Sequence, residues 1–285
     1  EWISCPGESL FDYGVFHFRN KINLEEVPDD FTIHVSGDNR YRLYVNGKEV
    51  CRGPARGDLA HWRFETINIG DYLNSGENIL AAVVWNFGEY RPLAQMTNKT
   101  AFIVQGNTWK EEIVNTGNNW KVYKNLAYNP PGKRPPRTVV GPGENVNASI
   151  YPHGWTELVY DDSKWLTPKS LGRGVPYGAF TSWDWGLVPR NIPPMEYTLE
   201  RIREVERAEN TQVNEEFLNG KKPLTIEPNS EVTIILDQTY LTTAYPEIIV
   251  SGGSGASIEI SYAEAMVDEN GIKGNRNVTR NKELL

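Results

Sequence analysis

The stretch from Phe31 to Gly88 constrains the fold most strongly, because apolar residues recur there at every second position. Tyr41, Leu43 and Val45 alternate with polar neighbours. A period of two places alternate side chains on opposite faces of an extended chain, which is typical of antiparallel strands with one buried face. This pattern predicts an all-β protein with at least one β-sandwich.

Two further signals support that prediction. Asn46-Gly47 separates two alternating segments, and both central residues of a type I′ turn need the positive φ that Asn and Gly adopt at least cost. The pair therefore predicts a tight hairpin. Ile79 to Val84 is a continuous apolar run, which predicts a fully buried strand.

Three segments carry a resemblance to a known family. LYVNGKEV followed by YLNSGENILAAVVWNFG resembles the N-terminal galactose-binding-like sandwich of bacterial α-L-rhamnosidases, glycoside hydrolase family 78. GLVPRNIPPMEYT is similar to that family's linker. ILDQTYLTTAYPEIIVSGGSGASIEISYAEAMVDENGIKGNRN is similar to the start of its next β domain.

The resemblance implies a galactose-binding-like antiparallel β-sandwich, or jelly roll, over residues 1–188. A connector and an incomplete second β-sandwich would follow over residues 189–285. The proline-rich stretch 129–143 excludes regular structure, and it is either a domain linker or a long surface loop. Composition alone favours a linker, whereas the resemblance favours a loop within the first sandwich.

Composition narrows the classes of partner. The 285 residues include 29 Lys and Arg against 37 Asp and Glu, giving a net charge of −8. An acidic chain without a basic run is a poor candidate for nucleic acid, and no apolar run reaches the roughly 20 residues of a membrane span. The nine Trp give mild support for a carbohydrate partner, since sugars offer apolar faces to aromatic rings.

The residues alone determine neither the cellular compartment of the protein nor the redox state of its two cysteines. The chain begins at Glu1 with no signal peptide, as a mature exported protein would and as a trimmed one would. The resemblance implies export to the periplasm or the cell exterior. Cys5 and Cys51 could form a disulfide or be separate thiols.

No catalytic constellation stands out. The four His are scattered, and GxSxG, CxxC and HExxH are absent. Glycosidic hydrolysis needs two carboxyl groups across the scissile bond. Asp161 and Asp162 point to opposite faces of an extended chain, so we interpret Asp-Asp-Ser as a turn cap. The resemblance implies that both catalytic carboxylates lie in a helical barrel beyond Leu285, and that this chain alone is inactive.

One constellation points to a ligand. In the family, some N-terminal sandwiches bind rhamnose through calcium. Carried over residue by residue, that pattern implies that Asp38, Asn39, Asn86 and the Pro92 carbonyl hold Ca²⁺. Asn39 would also contact the sugar, and Trp62 would supply a stacking face. Asp38→Ala would then abolish binding and leave the fold intact, since it removes a ligand and no core volume. The alternative is ordinary turn chemistry with a buried scaffold Trp.

The sequence therefore predicts the non-catalytic N-terminal part of an α-L-rhamnosidase-like glycoside hydrolase. This part would support the catalytic barrel of the same polypeptide and bind a rhamnose-containing glycan. The alternative from another class is a self-standing lectin or adhesin module. A third option, the sugar-binding domain of a β-galactosidase-type enzyme, is disfavoured by the segment YAEAMVDENGIKGNRN, which resembles rhamnosidases.

Overall fold

The computed structural model describes residues 1–130, 132, 141–179 and 184–263. Strands dominate these ranges, which confirms the predicted all-β class. The strands in chain order are β1 (Ile3–Ser4), β2 (Gly14–Leu24), β3 (Thr32–Asp38), β4 (Arg40–Val45), β5 (Lys48–Gly53), β6 (Trp62–Asn68), β7 (Gly76–Asn86), β8 (Ala101–Gly106), β9 (Lys121–Lys124), β10 (Tyr128–Asn129), β11 (Asn145–Val146), β12 (Lys169–Ser170), β13 (Val175–Pro176), β14 (Gly186–Pro189), β15 (Glu204–Glu209) and β16 (Thr233–Asp237).

Helical structure is limited to short turns in the described ranges. The 3₁₀ turns are Gly70–Tyr72, Gly88–Tyr90, Trp109–Val114 and Ala148–Ile150, and one α-helical turn, α1, spans Glu215–Leu218. Thr108 caps the turn that begins at Trp109, and the Glu111 carboxylate accepts from the Thr108 backbone N–H at 2.6 Å. These turns connect strands and add little to the core.

The first unit is a sandwich of two sheets. One sheet has five strands in the order β5-β4-β7-β2-β9, and the other has seven in the order β12-β1-β8-β3-β6-β14-β13. Most pairs are antiparallel, as predicted. The β6–β14 and β13–β14 pairs are parallel. β14 returns to β6 after more than a hundred residues, which leaves ample chain for the crossover that parallel strands need.

The predicted hairpin forms at Asn46-Gly47. Val45 pairs with Lys48 across the turn, and the φ angles of Asn46 and Gly47 are 48° and 81°. Both values are positive, as a type I′ turn requires. The local sequence thus fixes the pairs beside the turn, and a bulge between Leu43 and Tyr44 shifts the register of β4 against β5 farther along.

β7 is buried on both faces, which explains its continuous apolar run. It lies between β4 and β2 in the five-stranded sheet. Leu80 and Ala82 point into the core between the sheets, whereas Ile79 and Ala81 contact Trp155 and other residues of a separate outer cluster. The sandwich therefore carries a third layer on the outer face of this sheet, which we call the outer segment (residues 148–166).

Arg19 on β2 holds the outer segment in place. Its side chain is fully buried, and Nε donates to Asp162 Oδ2 at 2.8 Å. The guanidinium also donates to the backbone carbonyls of Trp155, Glu157 and Tyr160, and it lies 5.1 Å from the centroid of the Tyr160 ring. Asp161 instead caps its turn by accepting from Ser163 N at 2.9 Å. Asp162 is thus an ion-pair residue and only Asp161 acts as the predicted cap.

His17 is buried beneath the outer segment beside Arg19. Its ring lies 4.1 Å from that of Trp155, measured between centroids, and its Nε2 accepts from Asn125 Nδ2 at 2.9 Å. Burial lowers the pKa of His17 to about 3, because a charged imidazole would lose its hydration there. The native protein therefore keeps this histidine neutral.

The neutral His17 should make stability fall in mild acid. An unfolded histidine takes up a proton below pH about 6.5, whereas the folded one does so only near its lowered pKa. We expect this residue to remove about 2 kcal/mol from the free energy of unfolding by pH about 5. Urea denaturation at neutral and acidic pH should show that loss in the wild type and not in His17→Gln. The exposed-site control His153→Gln should keep the wild-type pH dependence, and equal slopes for all three proteins would contradict the prediction.

The chain divides into two compact units at Pro194/Met195. β14 ends at Pro189, and the next residue remains bound to the sandwich, since Arg190 Nη1 contacts Glu65 Oε1 at 3.2 Å. The predicted limits of 188 and 189 stay a prediction. The proline-rich stretch falls mostly on residues outside the described ranges. Two strands that follow it, β12 and β14, pair with β1 and β6, which precede it.

In the second unit, β15 and β16 form an antiparallel pair, which confirms the strand predicted at VTIILD. The strands predicted over residues 246–252 and 256–265 are wrong for the described residues up to 263, which carry no strand assignment. Alternating apolar residues are present there, but a strand also needs a neighbour for its backbone N–H and C=O groups. Ile249 is instead 95% exposed.

Cys5 and Cys51 are both free thiols. Burial raises the pKa of each to about 11, so both are protonated near neutral pH. Within the described ranges, the longest helices fall far short of the length and apolar character needed to cross a bilayer.

Candidate functional site

The predicted polar residues meet at one end of the sandwich. Asp38 is the last residue of β3 and pairs with Ala101, the first residue of β8. Asn86 is the last residue of β7, and Asn39 lies between β3 and β4, after a cis peptide bond. Strand ends from both sheets thus bring these side chains together, as the sequence predicted.

The Asp38 carboxylate is fully buried and bound by five donors of the protein. Oδ1 accepts from Thr97 Oγ1 at 2.7 Å and from Asn39 Nδ2 at 2.8 Å. Oδ2 accepts from the backbone N–H of Asn98 at 2.7 Å and of Lys99 at 3.3 Å. The fifth donor is the Trp185 indole Nε1, which donates to Oδ2 at 2.9 Å.

Burial raises the pKa of the Asp38 carboxyl, and hydrogen bonds from Thr97, Asn98, Asn39 and Trp185 oppose that rise. Next to this network, Lys99 Nζ lies 2.9 Å from Asp184 Oδ1. The hydrogen bond from Lys99 lowers the pKa of Asp184. Asp38 therefore joins the loop before β8 to Trp185, which directly precedes β14 of the same seven-stranded sheet.

The side chains of Asn39 and Asn86 are also hydrogen-bonded to the protein. Asn39 Oδ1 accepts from Phe87 N at 2.9 Å. Asn86 Oδ1 accepts from Gly88 N at 2.8 Å, and its Nδ2 donates to Thr100 Oγ1 at 2.9 Å. These contacts fix the loop that leaves β7 against the strand ends.

The oxygens assigned to calcium by the resemblance all accept hydrogen bonds from the protein. Besides the Asp38, Asn39 and Asn86 oxygens, the Pro92 carbonyl accepts from Gln95 N at 2.9 Å. Asp38 and Asn39 are in direct contact, whereas Asn86 bonds Thr100 and not Asp38. An ion at this point would have to displace donors from residues 97–99. Calcium binding stays a prediction.

Asn39 and Trp62 line the same surface depression, of about 230 Å³ including space open to solvent. This shared position agrees with their predicted pairing. Trp62 is only 2% exposed and packs with Trp2, Ile103 and Trp185. The stacking face predicted for Trp62 is therefore not presented to solvent, because the ring packs inside the apolar cluster on the outer side of the seven-stranded sheet.

Several residues of this site were missed by sequence reasoning. Thr97, Asn98 and Lys99 belong to the polar run that ends at Thr100, just before β8. A polar run before a buried strand is the one signal that could have drawn attention to them. Trp185 belongs to a dense aromatic stretch, but its partner Asp38 lies 147 positions away. Trp183 of that stretch lies outside the described residues.

No protein-family model matches the sequence. A curated α-L-rhamnosidase of Formosa agariphila is 25% identical over 185 residues, which cover 54% of this chain and 17% of that protein. The chain thus spans about a sixth of the curated relative it matches.

Solved structures of rhamnosidases also match part of this chain. The GH78 family rhamnosidase of Bacillus sp. GL1 matches 73% of this chain and 21% of its own, with a TM-score of 0.64 at 24% identity. This chain resembles α-L-rhamnosidases. The α-L-rhamnosidase from Dictyoglumus thermophilum shares the fold as well, with a TM-score of 0.53 at 16% identity over 72% of this chain and 24% of that one. The predicted resemblance and the predicted sandwich fold are confirmed, and the likeness is to a portion of each rhamnosidase.

Proposed function

We propose that this chain is the non-catalytic N-terminal portion of an α-L-rhamnosidase-like glycoside hydrolase, exported to the periplasm or the cell exterior. The sequence similarity to a curated α-L-rhamnosidase, confined to about a sixth of that protein, carries the proposal. The sandwich would support the catalytic domain of the same polypeptide. The substrate would be a rhamnose-containing glycan.

The buried carboxylates support a non-catalytic role. The described residues contain four that are buried, and each accepts hydrogen bonds from the sandwich itself. Asp38 and Asp162 are described above, Glu65 accepts from Tyr41 Oη at 2.7 Å, and Glu111 accepts from Thr108. Carboxylates committed to structural donors are poor general acids or nucleophiles, since catalysis needs one group able to give up a proton at the scissile bond.

We expect this chain alone to release no phenol from an aryl α-L-rhamnoside, because the acid pair lies elsewhere in the polypeptide. A protein expressed from the extended gene should hydrolyse the same compound. Turnover by the 285-residue chain that survives rigorous purification would contradict the proposal. A gene that ends near residue 285 would favour the self-standing lectin or adhesin instead.

The same proposal gives the polar end of the sandwich a role in binding rhamnose. We expect weak binding, with a dissociation constant in the range of about 1 μM to 1 mM, because one depression and a few polar groups supply little free energy beyond the cost of association. The resemblance implies that calcium assists, since a divalent cation beside Asp38 would replace neutral donors with a full charge.

Calorimetric titration of rhamnose, first with calcium and then with chelator, measures both effects. We expect heat of binding in calcium and its loss in chelator. Heat in both conditions would remove calcium from the proposal while keeping the sugar. Absence of heat in both would leave Asp38 and Asn39 as structural residues only.

A further inference from the structure

The depression lined by Asn39 and Trp62 is basic, although the chain as a whole is acidic with a net charge of −8. Its charged lining residues are Arg40 and Arg56. The remaining lining residues are uncharged, namely Pro54, Ala55, Gly57, Gln95 and Met96. Among the described residues, the lining therefore contains two cations and no carboxylate.

The two arginines differ in how they are held. Arg40 Nη1 donates to the Pro54 carbonyl oxygen at 2.6 Å, which fixes its guanidinium against the wall formed by residues 54–57. Arg56 is on that wall and is exposed to solvent. A guanidinium presents planar N–H donors that match the oxygens of a carboxylate or a sulfate. A fixed arginine beside an exposed one suits an anionic group better than a neutral hydroxyl.

Trp62 belongs to the same lining. Its indole Nε1 is buried and makes no hydrogen bond within the described part of the chain. Buried donors normally have partners, so this residue of the wall keeps an unmet hydrogen-bonding capacity. The Asn39 amide needs no partner from a ligand, because its Nδ2 and its Oδ1 are both already hydrogen-bonded.

We propose that this depression binds the acidic substituent of a sugar, either the carboxylate of a uronic acid or a sulfate ester. The inference rests on the proposed function, since it names the glycan class that the sandwich would recognise. The 230 Å³ or so of the depression includes space open to solvent, so the depression is shallow. It would contact the acidic substituent of one sugar unit and leave the rest of the glycan outside.

The test uses the 285-residue chain and four probes: methyl glucuronide, a monosulfated monosaccharide, inorganic sulfate and neutral rhamnose. Binding is followed by calorimetry and by NMR shifts of the Trp and Arg side-chain N–H groups, at low and at physiological salt. We expect one of the two acidic sugars to bind more tightly than rhamnose, and which one does so distinguishes carboxylate from sulfate. Binding should weaken as salt is raised.

Variants locate the effect. Arg56→Gln should weaken binding of the acidic sugar by about five- to tenfold, as expected for loss of a charge-assisted hydrogen bond at an exposed position. Arg56→Lys should lose less, because it keeps the charge without the planar fork. Arg173→Gln, at an exposed arginine away from the depression, should leave the affinity unchanged. Rhamnose binding, where it occurs, should change less in Arg56→Gln than acidic-sugar binding does, because a neutral sugar has no charge for the guanidinium to pair with.

The outcomes separate this inference from the proposed function. Rhamnose binding with no gain for either acidic sugar would overturn the inference and leave the proposed function standing. Acidic-sugar binding without rhamnose binding would support the inference and count against rhamnose as the ligand of the sandwich. Inorganic sulfate as strong as the acidic sugars, or Arg56→Gln equal to Arg173→Gln, would overturn the inference.

Discussion

Replacing Arg19 with Met is expected to lower the free energy of unfolding of the sandwich by about 3–5 kcal/mol. The guanidinium is fully buried and holds Asp162 together with three backbone carbonyls of the outer segment. Met matches much of the side chain's length but donates nothing, so those carbonyls would lose their donors. Asp162 would keep only Lys121, at 2.6 Å.

Urea denaturation followed by Trp fluorescence measures this loss, and all nine Trp lie within the first 185 residues. Lys124→Met is the matched control. Lys124 is on β9, the strand next to β2. The substitution removes an ion pair of 2.6 Å to Glu8, in which both side chains are about one-third exposed, and exposed pairs contribute at most about 1 kcal/mol. Equal losses for the two variants would show that Arg19 does not hold the outer segment.

Hydrogen exchange adds a local readout to the same variant. The outer segment (residues 148–166) should lose protection in Arg19→Met before the inner core does, because it depends on this side chain. Arg19→Lys should recover only part of the stability, since an ammonium cannot reach Asp162 and the carbonyls in the same fork geometry. Uniform loss of protection over the whole sandwich would contradict a local role.

Asp38→Ala is expected to cost about 3–5 kcal/mol of unfolding free energy, through loss of a buried hydrogen-bond network. This corrects the sequence-based expectation that the substitution leaves the fold intact. The carboxylate accepts from five donors, among them the N–H groups of Asn98 and Lys99 and the indole of Trp185. Ala would leave these buried donors without an acceptor.

Two variants make the measurement specific. Asp38→Asn keeps one oxygen, which can still receive the donors that now bind Oδ2, but its NH₂ would face the NH₂ of Asn39. We therefore expect a smaller loss than with Ala. Asp184→Ala removes an exposed partner of the same loop and should change the unfolding free energy by less than about 1 kcal/mol. Urea denaturation of all three is the test, and an Asp38→Ala protein as stable as Asp184→Ala would show that Asp38 is a replaceable turn residue.

Both substitutions act on contacts that span the chain. Arg19 and Asp162 are 143 positions apart, and Asp38 and Trp185 are 147 apart. In each case a residue from the C-terminal part of the first unit is hydrogen-bonded to a strand from its N-terminal part. Residues 141–179 and 184–194 are thus integral to the sandwich, and a ligand site at the Asp38 end would depend on their presence.

The sequence by itself determined the local features. Positive φ at Asn46-Gly47 is a property of those two residues, so the turn and the pairs beside it followed from the dipeptide. Alternation through Tyr41, Leu43 and Val45 selected the buried face of β4 because side chains alternate along any strand. The grouping of Asp38, Asn39 and Asn86 also followed, since all three stand at strand ends that share one edge of the fold.

Only the tertiary structure decided what those residues contact. Trp62 could be an exposed platform or a core ring, and its packing against Trp2 and Trp185 made it a core ring. Asp162 could be a turn cap, and the buried guanidinium of Arg19 made it an ion-pair partner. The physical reason is the same in both cases: short-range preferences act through the backbone of neighbouring residues, whereas burial and hydrogen-bond partners are set by segments that meet only after the two sheets have packed.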